Sequence, residues 1–487
     1  MPGKYFSVEN SSSLDSLPAG GKIHIVGVCG VAMAQMAVAL CERGFTVSGS
    51  DRNFYEPMGS YLGDHPIALH RGYREENVPR DVSLVVIANA MFPDNPEVRI
   101  VEKMGLAYTS FPQLLAELII GDRDSIVVCG THGKTTTTAL IASVLHKTGL
   151  SPSYFIGGIC EDLPRSLAIG KGDFSVVEGD EYHSAFYAKI PKFHFYRAKT
   201  VLLNSLEFDH ADIYSSVDEI VEEFRRLLAS LPSEGRIICC SDYPLVRKLS
   251  DSAGESAVTY GHSVDSHYCL KDRKTSSTGQ LITIESRARG SFEIQVPMLG
   301  EYNAMNALAC TAVLLENGLE LELIQEHMMD FKAVKRRQEV KFDREGLILI
   351  EDFAHHPTAV KGTVRAIREA YPRKRLWAVF EARSNTSRKR IFQRDYETAF
   401  EEADEVILAK VNSSSRMDET DDLIDIEELA GLIRARGSRC RALSSPDGIE
   451  TSLLSDVDTN DVVLLMSNGS FGGLSRKLTE GFSKRFH

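Results

Sequence analysis

The stretch that most restricts the fold is "DSIVVCGTHGKTTTTALIASVLHKTG", residues 124–149. An apolar, β-branched run ending at Cys129 meets a glycine, then a lysine and four threonines, then apolar positions at helical spacing that stop at Gly149. A strand that turns at glycine and enters a helix commits this part of the chain to an α/β unit, with the turn at the carboxyl end of the strand. Backbone N–H groups and the positive end of the helix dipole converge at such a turn, so it suits an anion. Gly130, Gly133, Lys134 and Thr135 supply the glycines, the cation and the hydroxyl that a phosphate and its magnesium ion require. Their spacing is Gly-x-x-Gly-Lys-Thr, shorter than the usual Gly-x-x-x-x-Gly-Lys-[Ser/Thr], because Val128 stands where the first glycine would be.

The same strand-and-helix alternation appears on both sides. "KIHIVGVCG", "VAMAQMAVALCERG" and "FTVSGSD" read as a βαβ unit, and "VSLVVIANA" as a further buried strand. Alternation restarts after "RRQEVKFDREGLILIEDFAHHPTAV" with strand ends in "RLWAVFEARSNT", "EVILAKV" and "DVVLLMSNGSFGG". Residues 255–298 alternate in period two, which predicts a small antiparallel insertion. The chain of 487 residues exceeds what one core supports, at roughly 150 residues per domain. The expectation is three α/β domains: a Rossmann-like domain over 1–112, a central phosphate-loop domain over 113–333 and a second Rossmann-like domain over 334–487.

Ligands of α/β sheets bind at the carboxyl ends of the strands, so polar residues there are the candidates for chemistry. "VVEGDEYHSAFY" places Glu178, Asp180 and Glu181 at one strand end, and "LNSLEFDHAD" places Glu207, Asp209, His210 and Asp212 at another. Hard carboxylate oxygens near a phosphate loop suit magnesium. "GVCGVAM" reads Gly27-x-x-Gly30-x-x-Met33, a weak dinucleotide fingerprint, and Asp51 in "GSD" stands where a ribose hydroxyl is held; together they fit a nucleotide diphosphate other than NAD. His355 and His356 follow an apolar strand, and adjacent positions there point to opposite faces, so a turn with substrate contacts is favoured over a metal pair. Arg383, Ser384, Asn385 and Thr386 mark one more strand end.

Composition closes off several classes. A net charge of -13 argues against a nucleic-acid surface, and no apolar run approaches the roughly 18 residues of a membrane span. The nine cysteines show no CxxC pairing, which suits buried thiols in a reducing compartment and argues against a disulfide framework or zinc site. "MPGKYFSVENSSSLDSLPAGG" lacks the apolar core of a secretory signal and reads as a loose polar leader, so a cytoplasmic protein is expected.

"GTHGKTTT", "EGDE", "EFDH", "GEYNAMNALA", "RRQE" and "DFAHHPT" together resemble the ATP-dependent Mur ligases across nearly the whole chain. "SDRNFYEPMGSYL", "LNSLEFDHADIY", "FEARSNT" and "MSNGSFGGL" are similar to the branch that ligates a murein tripeptide; the L-alanine-adding branch is the alternative. The resemblance implies ATP and Mg2+ as cofactors, UDP-N-acetylmuramate and L-Ala-γ-D-Glu-meso-diaminopimelate as small-molecule substrates, and neither nucleic acid nor membrane as partner. It implies an ATP site of Gly130, Thr131, His132, Gly133, Lys134, Thr135, Thr136, Asn303, Asn306, Arg337 and Asp352, with metal ligands Thr135, Glu178 and His210 and catalytic roles for Lys134, Glu178 and His210. Gly27, Gly30, Ser50, Asp51, His70 and Asn89 would face the UDP moiety, while His355, Arg383, Ser384, Asn385 and Asn468 would line the side of the amine substrate. Two departures stand out. Tyr302 replaces a histidine common in relatives, and Arg225 occupies the position where some Mur ligases carry a carbamylated lysine.

Overall fold

The computed structural model describes residues 5–207, 213–214, 216–254, 257–384, 387–410 and 422–486. The chain has the three-domain α/β architecture of parallel sheets, and its contacts gather into two compact units. One is built from the chain up to Glu207 and from Ser216 to Thr259, the other from Tyr260 onward.

In the first unit, β1 (Lys22–Val26), β2 (Thr46–Asp51), β3 (Ala68–Arg71), β4 (Leu84–Ile87) and β5 (Tyr108–Ser110) form a parallel sheet in the order β3-β2-β1-β4-β5. Strands β1 and β4 are nearly continuous apolar runs, as expected where both faces of a parallel sheet are covered. Helix Val31–Glu42 returns the chain from β1 to β2 and buries Met33 to Leu40.

The second sheet of this unit contains β6 (Asp124–Cys129), β7 (Ser153–Phe155), β8 (Leu167–Ala168) and β9 (Phe174–Gly179). A hairpin of β10 (His183–Ala185) and β11 (Ala188–Pro191) follows, then β12 (Thr200–Leu203) and β13 (Arg236–Cys240). The sheet order is β13-β12-β6-β9-β7-β8, and β8 alone of these six runs antiparallel to its neighbour. Strand β6 lies between β9 and β12, with Cys129 in register with both Gly179 and Leu203. The glycine loop after β6 therefore leaves the sheet beside Asp180 and Asn204, at the switch point where α/β sheets open a crevice.

In the second unit, the end of β14 (Ala257–Gly261) runs parallel to β15 (Tyr268–Ser276), which pairs antiparallel with β16 (Gly279–Ser286) and so on to β17 (Gly290–Val296). The period-two pattern had predicted this insertion. Helices Glu301–Glu316 and Leu321–Met329 follow. A last sheet holds β18 (Glu339–Arg344), β19 (Leu347–Asp352), β20 (Arg375–Phe380), β21 (Glu405–Ala409), β22 (Arg439–Leu443) and β23 (Asp461–Met466). Its order is β18-β19-β23-β20-β21-β22, parallel except for β18, and Asp352, Met466 and Phe380 end level with one another.

The segment before β1 corrects the expectation of a loose leader. Ser12 N–H donates to the Tyr108 carbonyl at 2.8 Å, Leu14 N–H donates to Glu117 at 2.6 Å, and Leu14–Ser16 forms a 3-10 turn capped by Ser13. Polar composition had suggested solvation; the backbone instead finds partners on β5 and beyond it. The nine cysteines are free thiols, and no helix among the described residues is long and apolar enough to cross a membrane.

Candidate active site

Glycine is required at the start of the phosphate loop. Gly130 has φ +124°, and a Cβ there would lie 2.8 Å from both the N and the O of Ser205. The loop is stitched to the segment after β12: Thr131 N–H donates to Ser205 O at 3.1 Å, His132 N–H to Ser205 Oγ at 2.8 Å, and Glu207 N–H to Thr131 Oγ1 at 2.9 Å. His132 Nε2 lies 3.1 Å from Glu207 Oε2, and Asn204 Nδ2 donates to Thr137 Oγ1 at 3.1 Å. Helix Lys134–Lys147 then opens at Gly133, φ +83°, with no side chain capping its first amides. Such amides form an anion site.

Beside them sits a knot of buried charge. Lys134 Nζ donates to Gly130 O at 2.6 Å and to Glu181 Oε2 at 2.9 Å. Lys192 Nζ donates to Asp180 Oδ2 and to Tyr182 Oη, each at 2.9 Å. Glu178 accepts from Gly157 N–H at 2.6 Å and from Thr135 Oγ1 at 3.0 Å. Burial would strip the proton from Lys134, but Glu181 and Asp180 hold its ammonium well above the usual range. Burial also works against the charge on Asp180, but Lys192 and Lys134 outweigh it and hold that carboxyl below its ordinary value. Glu178 moves the other way, raised by burial and by the neighbouring Asp180 charge. Three carboxylates thus face two ammonium groups, and the one pushed toward protonation touches Thr135. This oxygen-rich corner beside the glycine loop has the donor set that a hard cation and a phosphate chain require.

The first glycine loop is closed differently. Gly27 and Val28 donate their N–H groups to Ser50 O at 2.9 and 3.0 Å, and Cys29 N–H donates to Asp51 Oδ2 at 2.8 Å. The amides left to an anion are those from Gly30 onward, where helix Val31–Glu42 begins with no side-chain cap. Ser50 is buried, and its hydroxyl donates to Glu97. Glu97 also meets His24 Nε2 at 3.3 Å, Asn77 Nδ2 at 2.6 Å and Arg74 N–H at 3.1 Å. Burial opposes ionisation of Glu97, but His24, Ser50 and Asn77 prevail and hold it below the usual range. His70 pairs in register with Ser50 on β3, and Asn89 is exposed in the turn after β4.

In the second unit, Asn303 Nδ2 donates to Leu299 O at 2.9 Å and Asn306 Nδ2 to Asn303 Oδ1 at 3.1 Å. Gln338 links this helix to β19: its Nε2 donates to Tyr302 Oη at 2.6 Å, and its N–H donates to Asp352 Oδ2 at 2.8 Å. Burial raises the Asp352 carboxyl against the opposing pull of Arg337, whose guanidinium stacks 4.8 Å from the Phe353 ring. His355 follows in a turn, its Nδ1 3.1 Å from Phe353 O, while His356 caps helix Pro357–Ala370. Arg383 lies across Gly469, where a Cβ would meet its guanidinium at 1.8 Å, and Ser384 Oγ donates to Ser387 Oγ at 2.8 Å. The Asn468 amide oxygen is buried with no hydrogen-bond partner among the described residues.

The expected residues therefore gather at three strand-end clusters. Gly130 to Thr136 sit with Glu178; Gly27, Gly30, Ser50 and Asp51 sit together; Asp352, His355, Arg383, Ser384 and Asn468 follow the level ends of β19, β20 and β23. His210 and Asn385, with Asp209 and Asp212, lie outside the described residues. Sequence reasoning passed over Lys192, Glu97 and Arg336. Arg336 donates to Glu351 at 3.0 Å and to Ser467 O at 2.7 Å. Only Arg336, in "RRQE", stood inside a noted motif; the partners of Lys192 are set by the β10–β11 hairpin and those of Glu97 by the packing of its helix on the sheet, which no local pattern encodes.

Comparison with known proteins supports one reading of these clusters. Residues 22–123 match the "Mur ligase family, catalytic domain", 128–314 the "Mur ligase middle domain" and 336–469 the "Mur ligase, glutamate ligase domain". The chain is 32% identical to the UDP-N-acetylmuramate–L-alanyl-gamma-D-glutamyl-meso-2,6-diaminoheptandioate ligase of Escherichia coli (strain K12), covering 95% of this chain and 99% of that one. It is 31% identical to the UDP-N-acetylmuramate–L-alanine ligase of Carboxydothermus hydrogenoformans, covering 94% of this chain and 96% of that one. The solved murein peptide ligase of Psychrobacter arcticus superimposes with a TM-score of 0.69 at 29% identity, covering 95% of this chain and 98% of that chain. From its strand-end clusters and from these matches along its length, the chain belongs to the Mur ligase family, enzymes that form amide bonds at the expense of ATP.

Proposed function

We propose that this ligase joins the lactyl carboxylate of UDP-N-acetylmuramate to the amine of L-alanyl-γ-D-glutamyl-meso-diaminopimelate, as a cytoplasmic step in peptidoglycan recycling. The observation that carries the activation step is the pairing of Lys134 with Glu181 beside uncapped helix amides, with Thr135 on Glu178. A carboxylate is a poor electrophile, and phosphorylation makes it reactive. Lys134 and the amides from Gly133 onward would hold the ATP phosphates, and Lys134 would offset charge that builds as the carboxylate attacks the terminal phosphorus and the bond to ADP breaks. Magnesium, held by Thr135, Glu178 and His210, would neutralise phosphoryl oxygens. The tripeptide amine then displaces phosphate from the acyl phosphate and gives its proton to a base, a role open to His210 only when it is not committed to the metal.

Asn303, Asn306, Arg337 and Asp352 are assigned to the nucleotide of ATP, and Gly27, Gly30, Ser50, Asp51, His70 and Asn89 to the UDP moiety. His355, Arg383, Ser384, Asn385 and Asn468 are assigned to the amine substrate, and the buried orphan oxygen of Asn468 favours an N–H donor from that substrate. Residues 1–112, 113–333 and 334–487 are the proposed UDP-sugar, ATP and amine-substrate domains.

The tripeptide assignment draws support from the near end-to-end match to the Escherichia coli ligase. Free L-alanine as acceptor is the second reading, favoured by the match to the Carboxydothermus hydrogenoformans ligase. Phosphate release measured with UDP-N-acetylmuramate, ATP and either acceptor separates them. Turnover with tripeptide and none with L-alanine is expected; the reverse would hand the chain to the second reading, and silence with both would remove the ligase assignment.

A further inference from the structure

The segment ahead of β1 has no role in the ligase reading, but its contacts reach the hairpin that follows the partner of Lys134. Tyr108 Oη accepts from Ser7 N–H at 2.7 Å and lies 2.9 Å from the carbonyls of both Tyr5 and Ser7. These bonds seat the Phe6 ring edge-on to Tyr108 at 4.8 Å and to Phe186 at 5.3 Å, and stacked on Tyr187 at 5.9 Å. Phe186 and Tyr187 form the turn of the β10–β11 hairpin, where Ala185 pairs with Ala188. At the other end of the same hairpin, Asp180, Glu181 and Tyr182 lead in and Lys192 leads out, tied by Lys192 N–H donating to Asp180 O at 3.1 Å. One short ribbon, about 13 Å long at roughly 3.3 Å per residue, thus carries the partner of Lys134 at its base and the contacts of Phe6 at its tip.

We propose that Phe6 and Tyr187 are positioning residues, and that the leader acts as a strap holding the hairpin so that Glu181 and Lys192 keep the knot in register with Lys134. The kinetic part rests on the proposed ligase function; the conformational part does not. Hydrogen exchange on the full-length chain tests the strap directly. Phe6→Ala should speed exchange of the amides at 183–190 about tenfold and leave helix Val31–Glu42 unchanged. Phe6→Tyr should restore protection, and Asp15→Asn, an exposed leader control, should have no effect. Unchanged exchange in the hairpin, or an equal rise across Val31–Glu42, would overturn the proposal. In phosphate release, Phe6→Ala should lower kcat about tenfold with KM for the UDP-sugar within about twofold; an unchanged kcat would overturn it. If the unaltered chain releases no phosphate, the ligase reading fails, and the exchange result alone judges the strap.

Discussion

The two glycine loops of the first unit follow one plan and meet different charged neighbours. Each leaves the carboxyl end of a buried parallel strand through a left-handed glycine, Gly27 at φ +87° and Gly130 at φ +124°, and each enters a helix that no side chain caps. At the first loop the end of the neighbouring strand β2 lies alongside, so that Ser50 and Asp51 occupy three successive loop amides. At the second, Ser205 occupies two amides, and β9 brings in carboxylates that answer a lysine. One plan thus yields a loop whose amides are taken up by its neighbour and a loop whose lysine is paired with carboxylates, because the cross-strand neighbour decides what the loop has left to offer.

Substitutions can break or sharpen that contrast. The largest effect is expected from Lys134→Ala, which should lower ATP-dependent phosphate release by about 1,000-fold or more while calorimetry still detects UDP-sugar binding; loss of both would mean that the loops are not separate sites. Next is Lys192→Met, which removes the cation bonded to buried Asp180 and leaves Lys134, itself paired with Glu181, to offset that charge; the expected cost is about 3 kcal/mol in denaturant titration. A change under about 0.5 kcal/mol would show that the knot is hydrated.

Gly130→Ala and Gly27→Ala compare the turns themselves. A Cβ at Gly130 strikes the backbone of Ser205, whereas one at Gly27 meets the Ala88 methyl at 2.9 Å and the end of Met91 at 3.1 Å. The expected losses are about 3 and 1 kcal/mol respectively, and thermal unfolding in the reverse order would refute the steric ranking. Smallest is a difference in pH dependence between two buried carboxylates. Glu97 is held low, so its stabilisation is complete above its unfolded value of about 4.3 and is lost as pH falls through the lower folded value. Glu178 is held high, so its contribution is present below that pH and is lost as pH rises through the folded value. Glu97→Gln should flatten the acid limb of a Tm-against-pH profile, and Glu178→Gln should raise Tm near neutral pH while removing the magnesium response of turnover.

Much of the architecture was legible in residue patterns. The turn at Gly130, the helix after it, the acidic strand ends and the period-two insertion all depend on neighbours a few residues apart, the range over which periodicity and turn chemistry act. The leader was misread for the same reason: its serines and glycines look solvated locally, while its partners Tyr108 and Glu117 lie about a hundred residues away. Glu97 and Lys192 were missed because a single charged residue in a helix or turn carries no periodic signature.

Sequence alone determined that a lysine and a hydroxyl would stand at a helix N-terminus behind a glycine turn, since backbone geometry leaves that motif few alternatives. Only the tertiary structure decided that Lys134 would meet Glu181, that Lys192 would meet Asp180, and that Phe6 would touch the hairpin between them. The first pairing follows from β6 lying beside β9, the second from the closure of the β10–β11 hairpin, and the third from Tyr108 of β5 holding the leader. Strand order is the outcome of burying whole apolar faces at once, and it brings together side chains that share no local pattern.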